Sequence, residues 1–340
     1  MKKLIATTAL VSLAALSAAN AETKITGSLG LSLLAHSYDP ATGSNRTDSF
    51  NAVGRESQIN VSNSGTLSNG LKYAAGFSWE ADGNESLNGK STGENTYIDL
   101  MAGDTTFSLS SDHIDNLNAN PTNLVGFGYL QAAGGLYTKA DGHVGDQYSL
   151  AIGQKFGGTK VTLAYIPHTN SVTAATDVFD GVTNTTAGTN GASATSLILK
   201  GDLGVPGLAV LIGKDHTSDE GITKGVEKTK YSASYTVGKI KVAAEKDDYN
   251  AATTAASVDS QSIGLAYAVS DSVSVGVTYG EAEFGTMTAG THKKEETTMV
   301  AVGYNLGAVS VQAQYKNVSN LNAAVNVDAQ EVGIYLGTKF

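Results

Sequence analysis

The stretch Val332-Gly333-Ile334-Tyr335-Leu336-Gly337-Thr338-Lys339-Phe340 alternates from end to end. Stepping back from Phe340 in twos gives Thr338, Leu336, Ile334 and Val332, a mostly apolar face. The other parity gives Lys339, Gly337, Tyr335 and Gly333, a small or polar one. Period-two alternation is the mark of a strand, and its apolar face must meet either a core or lipid. A strand ending flush with an aromatic residue still needs a neighbour on each edge, and the first strand of the chain is there to supply one and close the sheet. The last strand of a soluble sheet would carry the same local pattern, so the choice falls to the rest of the sequence.

At the other end, Met1 to Ala21 has the layout of an export signal: Lys2 and Lys3, an apolar run from Leu4 to Leu16, and the small-x-small step Ala19-Asn20-Ala21. The apolar run is too short to cross a membrane as a helix. Residues 1–21 are therefore expected to be removed and residues 22–340 to form one exported domain. With no cysteine, disulfides have no part in its stability. The chain holds 39 glycines, 15 tyrosines and one tryptophan, and its mean hydropathy of −0.09 leaves no candidate helical span. Since two of the 22 basic residues lie in the signal, the remainder is more acidic than the formal charge of −10 suggests, which argues against nucleic acid as a partner.

From about Lys24 a first strand places Ile25, Leu29, Leu31, Leu33 and Ala35 on one face and Lys24, Thr26, Ser28 and Ser32 on the other. A hairpin follows, with Ser57, Ile59 and Val61 going in and Leu71, Tyr73, Ala75, Phe77 and Trp79 coming back. Its turn reads Ser64-Gly65-Thr66-Leu67-Ser68-Asn69-Gly70-Leu71-Lys72-Tyr73. This turn, with both flanking strands, resembles the first periplasmic hairpin of the general diffusion porins of the Gram-negative outer membrane. The next hairpin, turning at Gly103-Asp104 into Phe107-Ser108-Leu109, is similar to its porin counterpart except that Ser108 stands where the family has glycine. The terminal Phe340 likewise resembles the closing, insertion-signalling residue of outer-membrane barrels.

Tyrosines fall at both ends of the strands on the apolar parity: Tyr235, Tyr267 and Tyr304 before short turns, Tyr165, Tyr279 and Tyr315 before long loops. Two aromatic belts of this kind mark the two interfaces of a membrane barrel, whereas a soluble sandwich has no reason to sort aromatics by strand end. The strand count is about 16, and Pro40, Pro121, Pro167 and Pro206 all fall in connections. The expected fold is an all-β transmembrane antiparallel barrel. A long stretch without period, Asp112 to Asp146, carries an apolar patch at Val125, Phe127, Tyr129 and Leu130 that needs something to pack on. The resemblance implies that this loop folds into the lumen and narrows it. A second long loop, His168 to Ala194, is rich in Thr, Ala, Asn and Gly.

The opposite parity is polar, and at this strand number a barrel no longer fills itself with side chains. Expected pore-lining or constriction residues are Glu56, Gln58, Asn60, Lys72, Glu80, Asp99, Asp112, Asp115, Lys200, Lys239 and Lys241, with Phe340 closing the barrel. In the family one arginine of the constriction sits where this chain has Gln58, and Arg55 nearby has the outward parity. Inward lysines gather at the short-turn end, among them Lys24, Lys155, Lys160 and Lys339. The opposite loops are expected to be acidic, with Asp247, Asp248, Glu281 and Glu283 counted in them, and the Asp247-Asp248 and Glu295-Glu296 pairs are expected at loop edges. Neither the six histidines nor any Gly-rich or Ser-centred motif makes a metal, nucleotide or catalytic signature, so no cofactor, metal or enzymatic activity is expected. The function implied is passive diffusion of small hydrophilic solutes and ions through an outer-membrane channel. The resemblance implies a homotrimer, with outer-membrane lipid and lipopolysaccharide as surroundings. An adhesin or structural barrel, closed by its loop and binding partners outside, is the alternative.

Overall fold

Every strand of a closed antiparallel sheet finds both neighbours, and this chain achieves that by returning its last strand to its first. In the computed structural model, residues 21–39, 47–80, 83–84, 92–111, 117, 124, 148–167, 193–217, 225–251, 257–285, 293–321, 324 and 327–340 are described. The first strands are β1 (Glu22–Asp39), β2 (Thr47–Thr66), β3 (Lys72–Glu80), the two-residue β4 (Gly83–Asn84), β5 (Thr92–Ala102) and β6 (Thr105–Ser111). Then come β7 (Tyr148–Phe156), β8 (Thr159–Ile166), β9 (Ala194–Gly201), β10 (Leu208–Thr217), β11 (Glu227–Val237) and β12 (Ile240–Asn250). The last five are β13 (Val258–Ala268), β14 (Val273–Phe284), β15 (Glu295–Asn305), β16 (Val309–Ser319) and β17 (Asp328–Lys339). Because β4 pairs with Gly54 and Arg55 of β2 just past the point where β3 leaves it, β4 prolongs β3, and the staves number one fewer than the 17 strands. That even number is the expected one.

The seam is the pairing of β1 with β17, from Ser28 opposite Lys339 to Asp39 opposite Asp328. One step further, Gly27 and Phe340 exchange backbone bonds of 2.9 and 3.0 Å. A side chain on Gly27 would stand 2.5 Å from Cζ of Phe340, so the terminal ring lies against the bare glycine and covers the seam from outside. Short turns all sit at the end of the barrel that holds this seam. The β2–β3 turn closes where the sequence placed it, with Leu67 N–H bonded to the Leu71 carbonyl and Gly70 at φ 85°, a conformation that glycine takes without steric cost. Gly103 does the same in the turn between β5 and β6. Pro167 follows β8 directly and Pro206 lies in the β9–β10 turn, where neither interrupts a ladder; Pro40 and Pro121 lie outside the described residues, as do residues 1–20.

The two faces invert the usual order of a soluble protein. Leu29, Leu31, Leu33, Ile263, Leu265, Ile334 and Leu336 are each about half exposed on the outside, together with both sets of tyrosines. Ser78, Ser110, Ser149, Thr162, Ser196, Ser232, Ser234, Thr278 and Gln312 are buried on the inside. A continuous apolar exterior of this extent is stable only in lipid, and the polar interior only around water or polar chain. No helix among the described residues is long and apolar enough to cross a membrane, and the strands supply the crossing instead.

Candidate functional site

The inner face follows from strand parity, which places each polar residue at a definite height. On the β2–β5 wall, Gln58 donates to Glu80 at 2.7 Å, Asn60 stands opposite the buried Ser78, and Asp99 accepts from Ser108 at 2.6 Å. Ser108, the departure from the family's glycine, thus gives Asp99 a hydroxyl partner. Gln58 is tied to a carboxylate and brings no positive charge to this wall. Arg55 pairs with Leu31 through its backbone, and its side chain lies outside the described residues. Glu56 pairs with Gly30 through its backbone; its side chain, with Asp112 and Asp115, lies outside the described residues.

Nearer the short turns the inner face turns basic. Lys72, Lys155 and Lys200 are exposed to the interior, and Lys160 and Lys241 are half-buried on the same face. Lys239 occupies the β11–β12 turn, where its Nζ donates to the Val269 carbonyl at 3.3 Å.

Toward the long loops the inner face carries ion pairs that were not anticipated. Lys230 has no exposure at all and sits 3.1 Å from both Glu245 Oε2 and Asp247 Oδ1, with Lys228 and Asp215 buried beside it on β11 and β10. A second group crosses the seam, where Glu331 stands opposite both Lys316 and His36, with His36 Nδ1 3.6 Å from its carboxylate. The signal was available: Lys228 and Lys230 share the parity of Ser232 and Ser234, while Tyr231 and Tyr235 have the other.

Two expectations about charge need correcting. Asp247 and Glu295 are not loop residues but buried, inward strand positions, whereas their neighbours Asp248 and Glu296 face outward. Glu281 and Glu283 also belong to a strand, β14, and face outward. The cause is that strands continue past the apolar band, so alternation goes on sorting charges where the sequence suggests loop. Outside, Lys294 bridges Glu283 at 3.3 Å and Glu281 at 3.8 Å, Lys246 meets Asp248 at 3.1 Å, and Gln261 donates to Glu281. The bond to Glu283, followed by the field of Glu281, holds the Lys294 ammonium above its ordinary pKa. No group of three or more potential metal ligands occurs among the described residues.

Of the long segment between β6 and β7, two residues are described, and both touch the inner face. Leu117 is fully buried against Ile198 of β9 and Leu211 of β10. It rests over Gly213, whose added Cβ would stand 2.5 Å from Leu117 Cδ2. Leu124 packs against Ala266 of β13 and Ala301 of β15. The Val125, Phe127, Tyr129 and Leu130 patch lies outside the described residues.

Comparison with known proteins agrees with this geometry. The family model for Gram-negative porins matches residues 6–323. No curated protein matches the sequence. Among solved structures, an anion-selective porin from Comamonas acidovorans superposes with a TM-score of 0.65 at 12% identity, covering 94% of this chain and 100% of the other. A variant of the Rh. blastica porin gives 0.61 at 13%, again over 94% and 100%. OmpT, an outer membrane protein of Vibrio cholerae, gives 0.59 at 14% over 96% and 99%. At such identities these likenesses establish the fold.

Proposed function

The chain belongs to the Gram-negative porin family and forms an outer-membrane channel for passive diffusion; from that premise we propose that its lumen is narrowed by the segment between β6 and β7. The observation that carries this is the burial of Leu117 on inward residues of β9 and β10 and the packing of Leu124 on inward residues of β13 and β15, the latter two strands well around the barrel from those that bracket the segment. A segment anchored at both of those places crosses the lumen, and small hydrophilic solutes pass beside it, selected by size and by the charges of the wall. The inner wall gives Leu117 and Leu124 the packing surface that a solvated loop would lack.

The wall charges act in series. Solutes entering from the long-loop side meet the mixed ion pairs around Lys230 and Glu331, and those leaving toward the short turns meet lysines. The protein works without turnover, so its kinetics are those of diffusion through a fixed opening. Residues 1–21 serve as a removable export signal, the mature barrel assembles as a homotrimer, and outer-membrane lipid and lipopolysaccharide surround its apolar belt. The adhesin alternative has no observation in its favour.

Planar-bilayer recording tests the proposal directly. Removing residues 116–135 should raise single-channel conductance while the unheated protein still migrates as a folded barrel on gels. Unchanged conductance in the folded variant would show that another part of the chain sets the opening.

A further inference from the structure

Hydrogen-bonding side chains on the inner wall of a barrel either bind one another or face what passes, and in this chain β2 carries a group of the second kind. Three of its inward residues, Gln58, Asn60 and Ser62, are half-buried. Register sets Ser28 of β1 opposite Gln58 and Thr26 opposite Asn60, with Glu80 and Ser78 of β3 on the other side. Toward the long loops Gln58 is bonded to Glu80 at 2.7 Å, and on β3 the Ser78 hydroxyl accepts from Asn95 at 2.9 Å. Between these bonded edges, the side chains of Ser28, Asn60 and Ser62 have no partner among the described residues. Neighbouring strands lie about 4.8 Å apart and inward residues repeat roughly every 7 Å along a strand, so these groups form one patch on the scale of a small solute.

The patch lies on the open side of the lumen. Leu117 is seated on β9 and β10 and Leu124 on β13 and β15, on either side of β11 and β12. In the order of strands around the barrel, β11 and β12 stand half a turn from β2 and β3. Exposure differs accordingly: Ser232 and Ser234 of β11, Thr297 of β15 and Gln312 of β16 are buried, whereas Ser28, Asn60 and Ser62 keep part of their surface. One flank of the patch is aromatic. A Cβ on Gly76, directly opposite Ser62, would stand 2.9 Å from Tyr97 Cε1, so the absent side chain lets that ring lean over β3 beside the patch. The β3–β5 register shifts next to it, between Gly76 and Ser78, where Asn95 takes a φ of 49°. Irregularities of this kind re-aim a side chain.

We propose that Ser28, Asn60 and Ser62, with the Tyr97 ring at their flank, form a station on the open side of the lumen for neutral polyhydroxylated solutes, sugars of one or two rings. The inference rests on the channel reading, and it names the solute class that the wall retains. One amide and two hydroxyls together donate and accept, which is what sugar hydroxyls require of their partners. A sugar entering the patch exchanges bonds with water for bonds of the same kind, while its C–H face packs on the negative face of the aromatic ring. A simple ion gains little, because the patch itself carries no charge and the nearby carboxylates of Glu80 and Asp99 are bonded to Gln58 and Ser108.

The test uses the folded full-length barrel in planar bilayers, with potassium chloride as carrier and D-glucose or sucrose as probe. Either sugar should reduce the ion current in a saturating way. Triethylene glycol, comparable in size to glucose but poor in hydroxyls, should reduce it only in proportion to its concentration. Asn60→Leu/Ser62→Ala should raise the half-blocking sugar concentration about tenfold, the loss expected for removing two hydrogen-bonding groups. Ser232→Ala/Ser234→Ala, on the buried inner face of β11, should leave it unchanged. Equal shifts in both double variants, or the same response to sugar and glycol, would overturn the station. A second readout needs no conduction. The chain has no cysteine, so Thr26→Cys, opposite Asn60, supplies a single thiol for a methanethiosulfonate reagent. Sucrose should slow its labelling in the folded protein, and triethylene glycol should not. Protection in a protein that conducts nothing would keep the station and remove the channel; conduction without block or protection would do the reverse.

Discussion

Two neighbouring parts of the inner wall treat lysine in opposite ways. On β11 and β12, Lys230 is sealed from solvent between Glu245 and Asp247. On β7, β8 and β9, three lysines face the lumen and stand opposite one another. In the first region the charges are spent on one another, since a buried ammonium is tolerated only with carboxylates in contact. In the second, like charges stand side by side on the inner face, and Lys155 and Lys200 are exposed rather than buried. The difference teaches that the interior of this barrel holds both sealed and solvent-exposed charge, and parity alone does not tell them apart.

The largest effect expected from breaking this contrast lies in the sealed region. Lys230→Met leaves Glu245 and Asp247 buried without their cation, and stripping one partner from such a group costs about 3–5 kcal/mol. The folded form should lose heat resistance on gels and unfold at lower denaturant concentration. Lys155→Gln, at an exposed position and measured the same way, should change stability by less than about 0.5 kcal/mol. Equal destabilisation by both variants would erase the distinction between the two regions.

A second test concerns the point where the regions meet. Leu117→Ala removes the side chain buried on Ile198 and Leu211, weakening that anchor by about 2–5 kcal/mol. Gly213→Val attacks the same contact from the wall, since even a Cβ would press on Leu117 Cδ2. Both variants should raise or destabilise single-channel conductance while leaving the barrel folded. A steady wild-type conductance in both would mean that Leu117 does not hold the narrowing.

How far the sequence discloses all this depends on the distance over which each feature is encoded. Alternation is local, so the barrel, its belts and the β2–β3 turn are legible from residues such as Leu71, Tyr235 and Tyr279 alone. The seam is legible too, because Phe340 has the outward parity and a matching first strand. The row of Lys155, Lys160 and Lys200 is not, for it exists only once register fixes which residues of β7, β8 and β9 stand opposite one another. Leu117 over Gly213 is hidden for the same reason: a leucine in an aperiodic stretch does not name its seat. Asp247 and Glu281 were misplaced because acidic residues near a strand end resemble loop, although the alternation runs on through them.

A smaller effect sharpens the view of the open region. Lys155→Glu would place a carboxylate opposite Lys160, replacing a repulsive pair with an attractive one. Cross-strand pairs of this kind are worth about 0.2–1 kcal/mol, so the variant should unfold at slightly higher denaturant concentration than the parent. A variant that is less stable would show that the lysine row is not under strain.

The smallest expected effect is electrical, and it depends on which charges actually face the lumen. Lysines at the short-turn end give that vestibule a positive field, while Glu281, Glu283 and Asp248, on the outer surface and bonded to Lys294 and Lys246, contribute little to the opposite mouth. The asymmetry along the pore therefore comes mainly from one end. Current through channels inserted in a single known orientation should rectify in dilute electrolyte, because fields reach about 30 Å at 0.01 M salt and only about 3 Å at 1 M. Rectification should vanish in concentrated salt, weaken when Lys72, Lys239 and Lys241 are changed together to Gln, and survive Glu281→Gln/Glu283→Gln unchanged. Sensitivity to the glutamates, with indifference to the lysines, would place the governing charge outside the barrel wall and reverse the assignment of the two ends.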